Sequence, residues 1–215
     1  MTEREIAALH FATTDELTQL TNRRGFEILA GHVLSLCDRM GQHAVLLFFD
    51  LNDFKAINDR VGHAEGDRAL KTFADTLTGA LRDSDVIARL GGDEFVVLLS
   101  ATNPADVAEP VECVTEALAL RNTTDARVYA IRFSVGHVDY DPARHRVVAD
   151  LLASADHRMY EDKQRGKTAG TQPRKNGRVL MSPRSRSTAV AWLYQLPHGG
   201  ALAIASAICS GVRSR

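Results

Sequence analysis

Two apolar spacings recur along the chain, and each predicts an element. Phe26, Leu29, Val33, Leu36, Cys37 and Met40 return every three or four residues, which predicts a helix over Arg23–Met40 with one buried face. An unbroken apolar run, Ala44 to Phe49, then stops at Asp50. A run without alternation predicts a strand covered on both faces. Helical patterns follow over about Asp53–Val61 and Glu65–Leu81, the second with Leu70, Phe73, Ala74 and Leu77 on one face. Val86–Leu90 and Phe95–Leu99 flank Gly91-Gly92 and read as a β-hairpin, because adjacent glycines supply the positive φ of a tight turn. Pro104 to about Leu120 is helical in pattern. Tyr129, Ile131, Phe133 and Val135 alternate with Val128, Ala130, Arg132 and Ser134, predicting a half-buried strand, and a last helix spans about Val147–Arg165. The order α-β-α-α-β-β-α-β-α with a central hairpin predicts an α+β fold: a central, mostly antiparallel sheet flanked by helices. Ahead of it, Ile6, Leu9 and Thr13 give about two helical turns, too short for a coiled coil on their own.

Charge changes this picture in one place. Residues 171–215 carry seven basic side chains and no acidic one, leaving 19 basic and 27 acidic residues on the other 170. A boundary near Gly170 follows, giving three segments: a helical linker 1–14, a folded domain 15–169 and a basic tail 170–215, disordered or weakly structured. Ser187–Val212 has no charged residue, yet Gln195, Pro197, His198, Gly199 and Gly200 interrupt it. A basic extension able to touch acidic lipid headgroups is the expectation there, rather than a membrane span. No aromatic interleaving points to specific nucleic-acid binding. Cys37, Cys113 and Cys209 are far apart and odd in number, which suits a reducing compartment and excludes a disulfide scaffold or a Cys/His zinc site. The first residues, MTEREIAALHF, lack the basic-then-apolar pattern of a secretory signal, so a cytoplasmic protein is expected.

The candidate chemistry is acidic. Asp50 closes the buried strand, and Asp93-Glu94 sit in the hairpin turn beside Gly91-Gly92. If the strands are neighbours, three carboxylates converge; they repel one another and call for a hard cation, Mg²⁺ or Mn²⁺, with a nucleotide phosphate completing its shell. Asn58 and Asp67 suit the edge of guanine, whose N1–H and 2-amino group are donors and whose N3 is an acceptor. Lys163 and Lys167 lie one helical turn apart and could hold a triphosphate tail.

These residues carry a resemblance. Asp15-Glu16-Leu17-Thr18-Gln19-Leu20-Thr21-Asn22-Arg23-Arg24 resembles the D-x-L-T-G-L-x-N-R-R opening of GGDEF domains. Phe49-Asp50-Leu51-Asn52-Asp53-Phe54-Lys55-x-Ile57-Asn58-Asp59, with Gly62-His63-x-x-Gly66-Asp67, is similar to that family's metal and guanine segment. Arg89-Leu90-Gly91-Gly92-Asp93-Glu94-Phe95 contains the signature, Ser134-Val135-Gly136 is similar to a later strand, and Ala155-Asp156-x-x-Met159-Tyr160-x-x-Lys163 to the closing helix. The resemblance covers about residues 15–169 in the family's order.

It implies a diguanylate cyclase with a palm-like nucleotide-cyclase fold, condensing two GTP into cyclic di-GMP and two pyrophosphates. Carried over by position, Asp50, the Leu51 carbonyl, Asp93 and Glu94 bind two Mg²⁺ or Mn²⁺ ions per active site. Asp93 is the base for the GTP 3′-hydroxyl. Asn58 and Asp67 hold guanine, with His63 in the same segment of the substrate site. Phe54 and Lys55 meet the β- and γ-phosphates, and Lys163 and Lys167 the terminal ones. Arg82-x-x-Asp85 resembles the product-inhibition site, with Arg89 in support. One domain binds one GTP, so joining two requires a homodimer about a two-fold axis. Gln19 stands where the family has glycine, which strains the chain if φ is positive there; Lys167 replaces arginine and Thr168 replaces asparagine. The alternative reading is a silent module that binds cyclic di-GMP or GTP as a receptor; retention of Asp50, Asp93 and Glu94 favours the enzyme. Asp67 argues against a mixed GMP–AMP product, because an acidic acceptor selects guanine. Fourteen leading residues cannot house a sensory domain, so the expectation is regulation by product, dimerisation governed by something else, or a fragment.

Overall fold

A strand apolar at nearly every position has to be covered on both sides, and β1 (Ala44–Leu51) is. The computed structural model describes Thr2 and residues 11–169, the last nine as backbone only. The chain divides into two units, Met1–Thr168 and Ala169–Arg215, and the sheet with its helices builds the first. Residues 1, 3–10 and 170–215 lie outside the described residues, and with them the tail expectation and most of the linker.

Four strands form one antiparallel sheet in the order β2-β3-β1-β4, with β2 at Val86–Gly91, β3 at Glu94–Ser100 and β4 at Phe133–Asp139. Among the described residues five helices flank it: α1 (Arg23–Met40), α2 (Phe54–Val61), α3 (His63–Ala80), α4 (Ala108–Thr124) and α5 (Val148–Ala169). Successive β1 side chains point to opposite faces. Val45, Leu47, Phe49 and Leu51 join Phe95, Val97 and Leu99 against Leu70, Phe73 and Leu77 of α3 and Val114 and Leu118 of α4. Leu46 and Phe48 join Val96, Leu98 and Val138 against Phe26, Ala30 and Leu34 of α1 and Leu151, Ala155 and Met159 of α5. Phe73 anchors the first layer, its ring 5.8 Å from Phe49, 5.0 Å from Phe95 and 5.5 Å from Phe133. Such aromatic pairs contribute about 0.5–1.5 kcal/mol each beyond burial.

The α+β architecture and the hairpin match the sequence expectation. The last strand does not. The alternating pattern predicts it over 128–135, whereas β4 runs Phe133–Asp139. The reason is the neighbour: β4 pairs only with β1, which ends opposite it at Leu51↔Phe133. Before Phe133 no strand is there to bond, and the Asn122 side chain takes over, bonding the Ile131 amide at 2.9 Å and its carbonyl at 2.8 Å. Ile131 is still buried, so the alternation reported packing rather than ladder bonds. The fourth helix is likewise split, with a short 3₁₀ turn at Pro104–Asp106 preceding α4.

Two local features set close tolerances. A Cβ on Gly136 would lie 2.5 Å from the Met159 backbone nitrogen, so the sheet meets α5 there backbone to backbone. Gln19 does sit at φ +61°, the left-handed region its glycine-like position implied. Gly136→Ala is expected to lower stability by about 1–3 kcal/mol through overpacking, read as a lower urea midpoint with unchanged slope. Gln19→Gly is expected to raise stability by roughly 0.5 kcal/mol, the relief of left-handed strain less the added freedom of the unfolded chain; an unchanged or lower midpoint would contradict it.

Candidate active site

Strand register sets two of the three expected acids opposite each other. Asp50, the last but one residue of β1, lies directly opposite Glu94 on β3 and Ser134 on β4. Gly91 (φ +148°) and Gly92 (φ +53°) turn the hairpin, and the Leu51 amide donates to the Asp93 carbonyl at 3.2 Å. The turn is thereby stapled to the end of the central strand. Burial raises the Glu94 pKa from its ordinary value; Asp156 of α5, then Asp93 and Asp50, push it the same way, and Arg23 opposes them. Among the described residues no three Asp, Glu, His or Cys side chains are gathered closely enough to hold a metal ion. The donor chemistry still fits a hard divalent cation: Asp50 and Glu94 face each other in register, Asp93 is adjacent, and the negative charge around Glu94 exceeds what Arg23 offsets.

The turn is also held from outside. The Arg89 Nε and Nη2 both donate to the Gly92 carbonyl, at 3.0 and 2.7 Å. Its Nη1 donates to both carboxylate oxygens of Asp15, at 3.0 and 3.2 Å. Asp15 further accepts from the Thr18 amide at 2.9 Å and hydroxyl at 2.7 Å. Burial works to raise the Asp15 pKa, but the Thr18 bonds and Arg89 together hold it below its ordinary value.

Most of the residues that the resemblance assigns to the nucleotide lie on α2, on α3 or at their junction. Asp53, at φ +58°, precedes α2 without giving it a side-chain cap, so the first-turn amides beside Phe54 and Lys55 are not taken by that side chain. Gly62, at φ +90°, reverses the chain into α3. The Asn58 carboxamide lies over Gly66: any Cβ there would collide with its Oδ1. Asn58 is thus brought to the residue preceding Asp67, and Asp67, His63 and Lys55 are exposed. Lys163 and Lys167 fall on α5, but their side chains lie outside the described residues.

Arg82 and Asp85 form a separate turn. Asp85 accepts from the Arg82 amide at 3.1 Å and the Ser100 amide at 3.2 Å. Burial raises its pKa, while those amides and the Arg82 charge pull it down. Its carboxylate braces the turn, and Arg82 is exposed. Among the described residues the Arg89 side chain donates to Asp15 and Gly92 rather than to this turn.

The family profile described as diguanylate cyclase, GGDEF domain, matches residues 12–169. The chain belongs to the GGDEF domain family. Two relatives of this GGDEF chain illustrate the match. One is the probable diguanylate cyclase DgcE of Escherichia coli K12, 36% identical over 160 residues, covering 73% of this chain and 14% of that protein. The other is the diguanylate cyclase TpbB of Pseudomonas aeruginosa PAO1, 36% identical over 160 residues, covering 74% of this chain and 37% of that protein. The chain therefore spans well under half the length of these relatives. Among solved structures, the coiled coil and GGDEF domain of DgcB from Caulobacter crescentus in complex with c-di-GMP superposes with a TM-score of 0.67 at 25% identity, covering 76% of this chain and 87% of that one.

Asp15, Gly66 and Asp156 are absent from the candidate residues that sequence reasoning names. Asp15 and Asp156 lie in the quoted family segments, but their contacts join parts of the chain far apart in sequence. Gly66 carries a local signal, a glycine inside a helical pattern, which points to a close approach.

Because its pKa is raised, ionised Glu94 costs the folded chain more than the unfolded one; the cost is present above the folded-state pKa and disappears as pH falls through it. In metal-free buffer at pH 7, Glu94→Gln is therefore expected to melt about 1–3 °C higher than the wild type. That gain shrinks as pH is lowered toward 4, and millimolar Mg²⁺ stabilises the wild type more than the variant. A variant that melts lower at pH 7, or gains equally from Mg²⁺, would contradict the crowded-acid account.

Proposed function

We propose that this GGDEF domain is a diguanylate cyclase that joins two GTP into cyclic di-GMP and releases two pyrophosphates. The observation that carries the reading is the register of Asp50 against Glu94, with Asp93 in a turn stapled to the same strand end. Family membership and the names of the relatives support it.

Asp50, the Leu51 carbonyl, Asp93 and Glu94 would hold two divalent ions, Mg²⁺ or Mn²⁺. When bound, such ions acidify the attacking hydroxyl and neutralise charge on the leaving group. The protein's own groups do the rest. Asn58 accepts and donates at the guanine edge, and ionised Asp67 accepts from its N1–H and 2-amino group. The first-turn amides of α2 and the Lys55 ammonium hold the β- and γ-phosphates, joined by Lys163 and Lys167; His63 stands at the rim of the same site. Asp93 accepts the proton of the 3′-hydroxyl. The new bond joins that oxygen to the α-phosphorus of the other GTP, and the bond to the bridging oxygen breaks as pyrophosphate leaves. Most of the rate comes from positioning and electrostatics. Two such steps need two sites facing each other, so the active species is a homodimer. Arg82 with Asp85 forms the product site through which cyclic di-GMP feeds back, Arg82 supplying paired donors to phosphate and guanine. GTP is an intracellular nucleotide, which places the reaction in the cytoplasm. No helix among the described residues is long and apolar enough to cross a membrane.

Product analysis tests this. The full chain at high concentration, given GTP and Mg²⁺, is expected to form cyclic di-GMP, and Asp93→Ala to lose activity by on the order of 10²–10⁴-fold, as expected for loss of a general base. Product that stalls early in the wild type should continue to accumulate in Arg82→Ala. Binding of GTP or cyclic di-GMP with no product would overturn the enzyme reading and leave a receptor module.

A further inference from the structure

The two side chains assigned to guanine sit on different helices, Asn58 on α2 and Asp67 on α3, so their spacing depends on how the start of α3 is held. That start is weakly held by its own sequence. Gly62 gives α3 no side-chain cap, and His63 and Ala64 are exposed. The first apolar side chain that α3 buries is Ala69, two residues beyond Asp67. A helix end without cap or core contact frays.

Tyr129 supplies an anchor at this place. Its hydroxyl donates to the Glu65 carbonyl at 3.0 Å and to the Glu65 Oε2 at 3.2 Å, one proton shared between two acceptors on the first turn of α3. Glu65 lies two residues before Asp67, and Gly66 between them is the position pressed against the Asn58 carboxamide. The bond therefore acts on the turn that sets Asn58 against Asp67. The other Glu65 oxygen meets Arg68 at 2.7 Å, but the Arg68 side chain is 71% exposed, and such a pair adds little.

Tyr129 is itself well placed to hold. It packs against the apolar layer that contains Phe73. The Arg127 guanidinium carbon lies 5.9 Å from its ring centroid, and Arg127 donates to the Thr72 hydroxyl of α3 at 3.1 Å and to Asp125 at 2.7 Å. Two residues further on, the Ile131 amide and carbonyl are both bonded by the Asn122 side chain of α4. Tyr129 also lines a cavity of about 120 Å³ with Ala56, Ile57 and Val61 of α2, so it stands behind both helices. Burial, and then Glu65, raise its pKa from the ordinary phenol value, which keeps it a donor.

We propose that Tyr129 is a positioning residue for guanine recognition: through Glu65 it holds the first turn of α3, so that Asp67 and Asn58 meet the base together. The inference rests on the assignment of guanine to those two residues. It acts on the choice of nucleotide rather than on the reacting groups at the strand end.

The test uses the full chain with Tyr129→Phe, which removes the hydroxyl and keeps the ring, and Glu65→Gln, which removes the charge and keeps an acceptor oxygen. Each is assayed for kcat and KM, for binding of GTP and of inosine triphosphate, which lacks the 2-amino group, and for amide hydrogen exchange in residues 63–67. Tyr129→Phe is expected to weaken GTP binding and raise its KM by about 3–10-fold, the fold-change that loss of one hydrogen bond produces, with kcat unchanged. Inosine triphosphate should lose less, so the preference for GTP narrows, and exchange in residues 63–67 should quicken. Glu65→Gln should stay close to the wild type, because the carbonyl and the amide oxygen still accept the Tyr129 proton. A Tyr129→Phe chain with a lower urea midpoint but an unchanged GTP preference has lost stability alone, and that result would overturn the proposal. So would a loss confined to kcat, unchanged exchange, or a Glu65→Gln variant as weak as Tyr129→Phe, since charge rather than the bond would then carry the effect. If the wild type binds GTP but makes no cyclic di-GMP, the cyclase reading fails by itself, and the two affinities still decide the proposal. A wild type that binds both nucleotides equally overturns the guanine assignment and the proposal with it.

Discussion

The ladder between β1 and β3 is the constraint on which everything else depends. β1 is buried on both faces, so it cannot slide by one residue without turning each side chain into the wrong layer. The Phe49↔Phe95 and Asp50↔Glu94 pairs follow from that register. The apolar part of the strand sets the alignment, and the first polar position after it presents an acid opposite an acid. A carboxylate pair at this place is thus a consequence of core packing, enforced by Phe73 and its ring contacts on one side and by Phe26 and Met159 on the other.

This placement works against stability. Glu94 is half-buried among acids, and its raised pKa records the conflict. Proteins tolerate such local conflicts where function needs them, with the deficit made up elsewhere. Here the surplus lies in the two apolar layers, and the nearest cationic help comes from Arg23 rather than from Arg89, which is committed to Gly92 and Asp15. Glycine does the complementary work around the site. Gly66 leaves room for the Asn58 carboxamide, and Gly136 lets α5 approach the sheet, carrying Asp156 toward Glu94 and Lys163 along the same helix.

Much of this was legible along the chain. The unbroken run Ala44–Phe49 announced a strand buried on both faces, and Gly91-Gly92 announced the hairpin, because both signals are local. Asp50, Asp93 and Glu94 could be nominated together since each sits at a strand end or turn. What stayed hidden depends on partners distant in sequence. β4 starts at Phe133 only because β1 ends at Leu51, a fact absent from the pattern of residues 128–135. Arg89 reads along the chain as support for the product site, and its bonds to Asp15, 74 positions earlier, are not visible there. Asp85 reads as a ligand by its spacing from Arg82; what the spacing does not carry is that each of its carboxylate oxygens also accepts from a backbone amide, one of them from Ser100.

The central claim is that the strand-end acids and the α2–α3 junction form one GTP site. A crystal structure of the full chain with Mn²⁺ and a GTP analogue that cannot release its pyrophosphate tests it most directly. The account predicts anomalous peaks bridging Asp50 with Asp93 or Glu94, and guanine seated between Asn58 and Asp67. Manganese bound elsewhere, or guanine held by other residues, would contradict it.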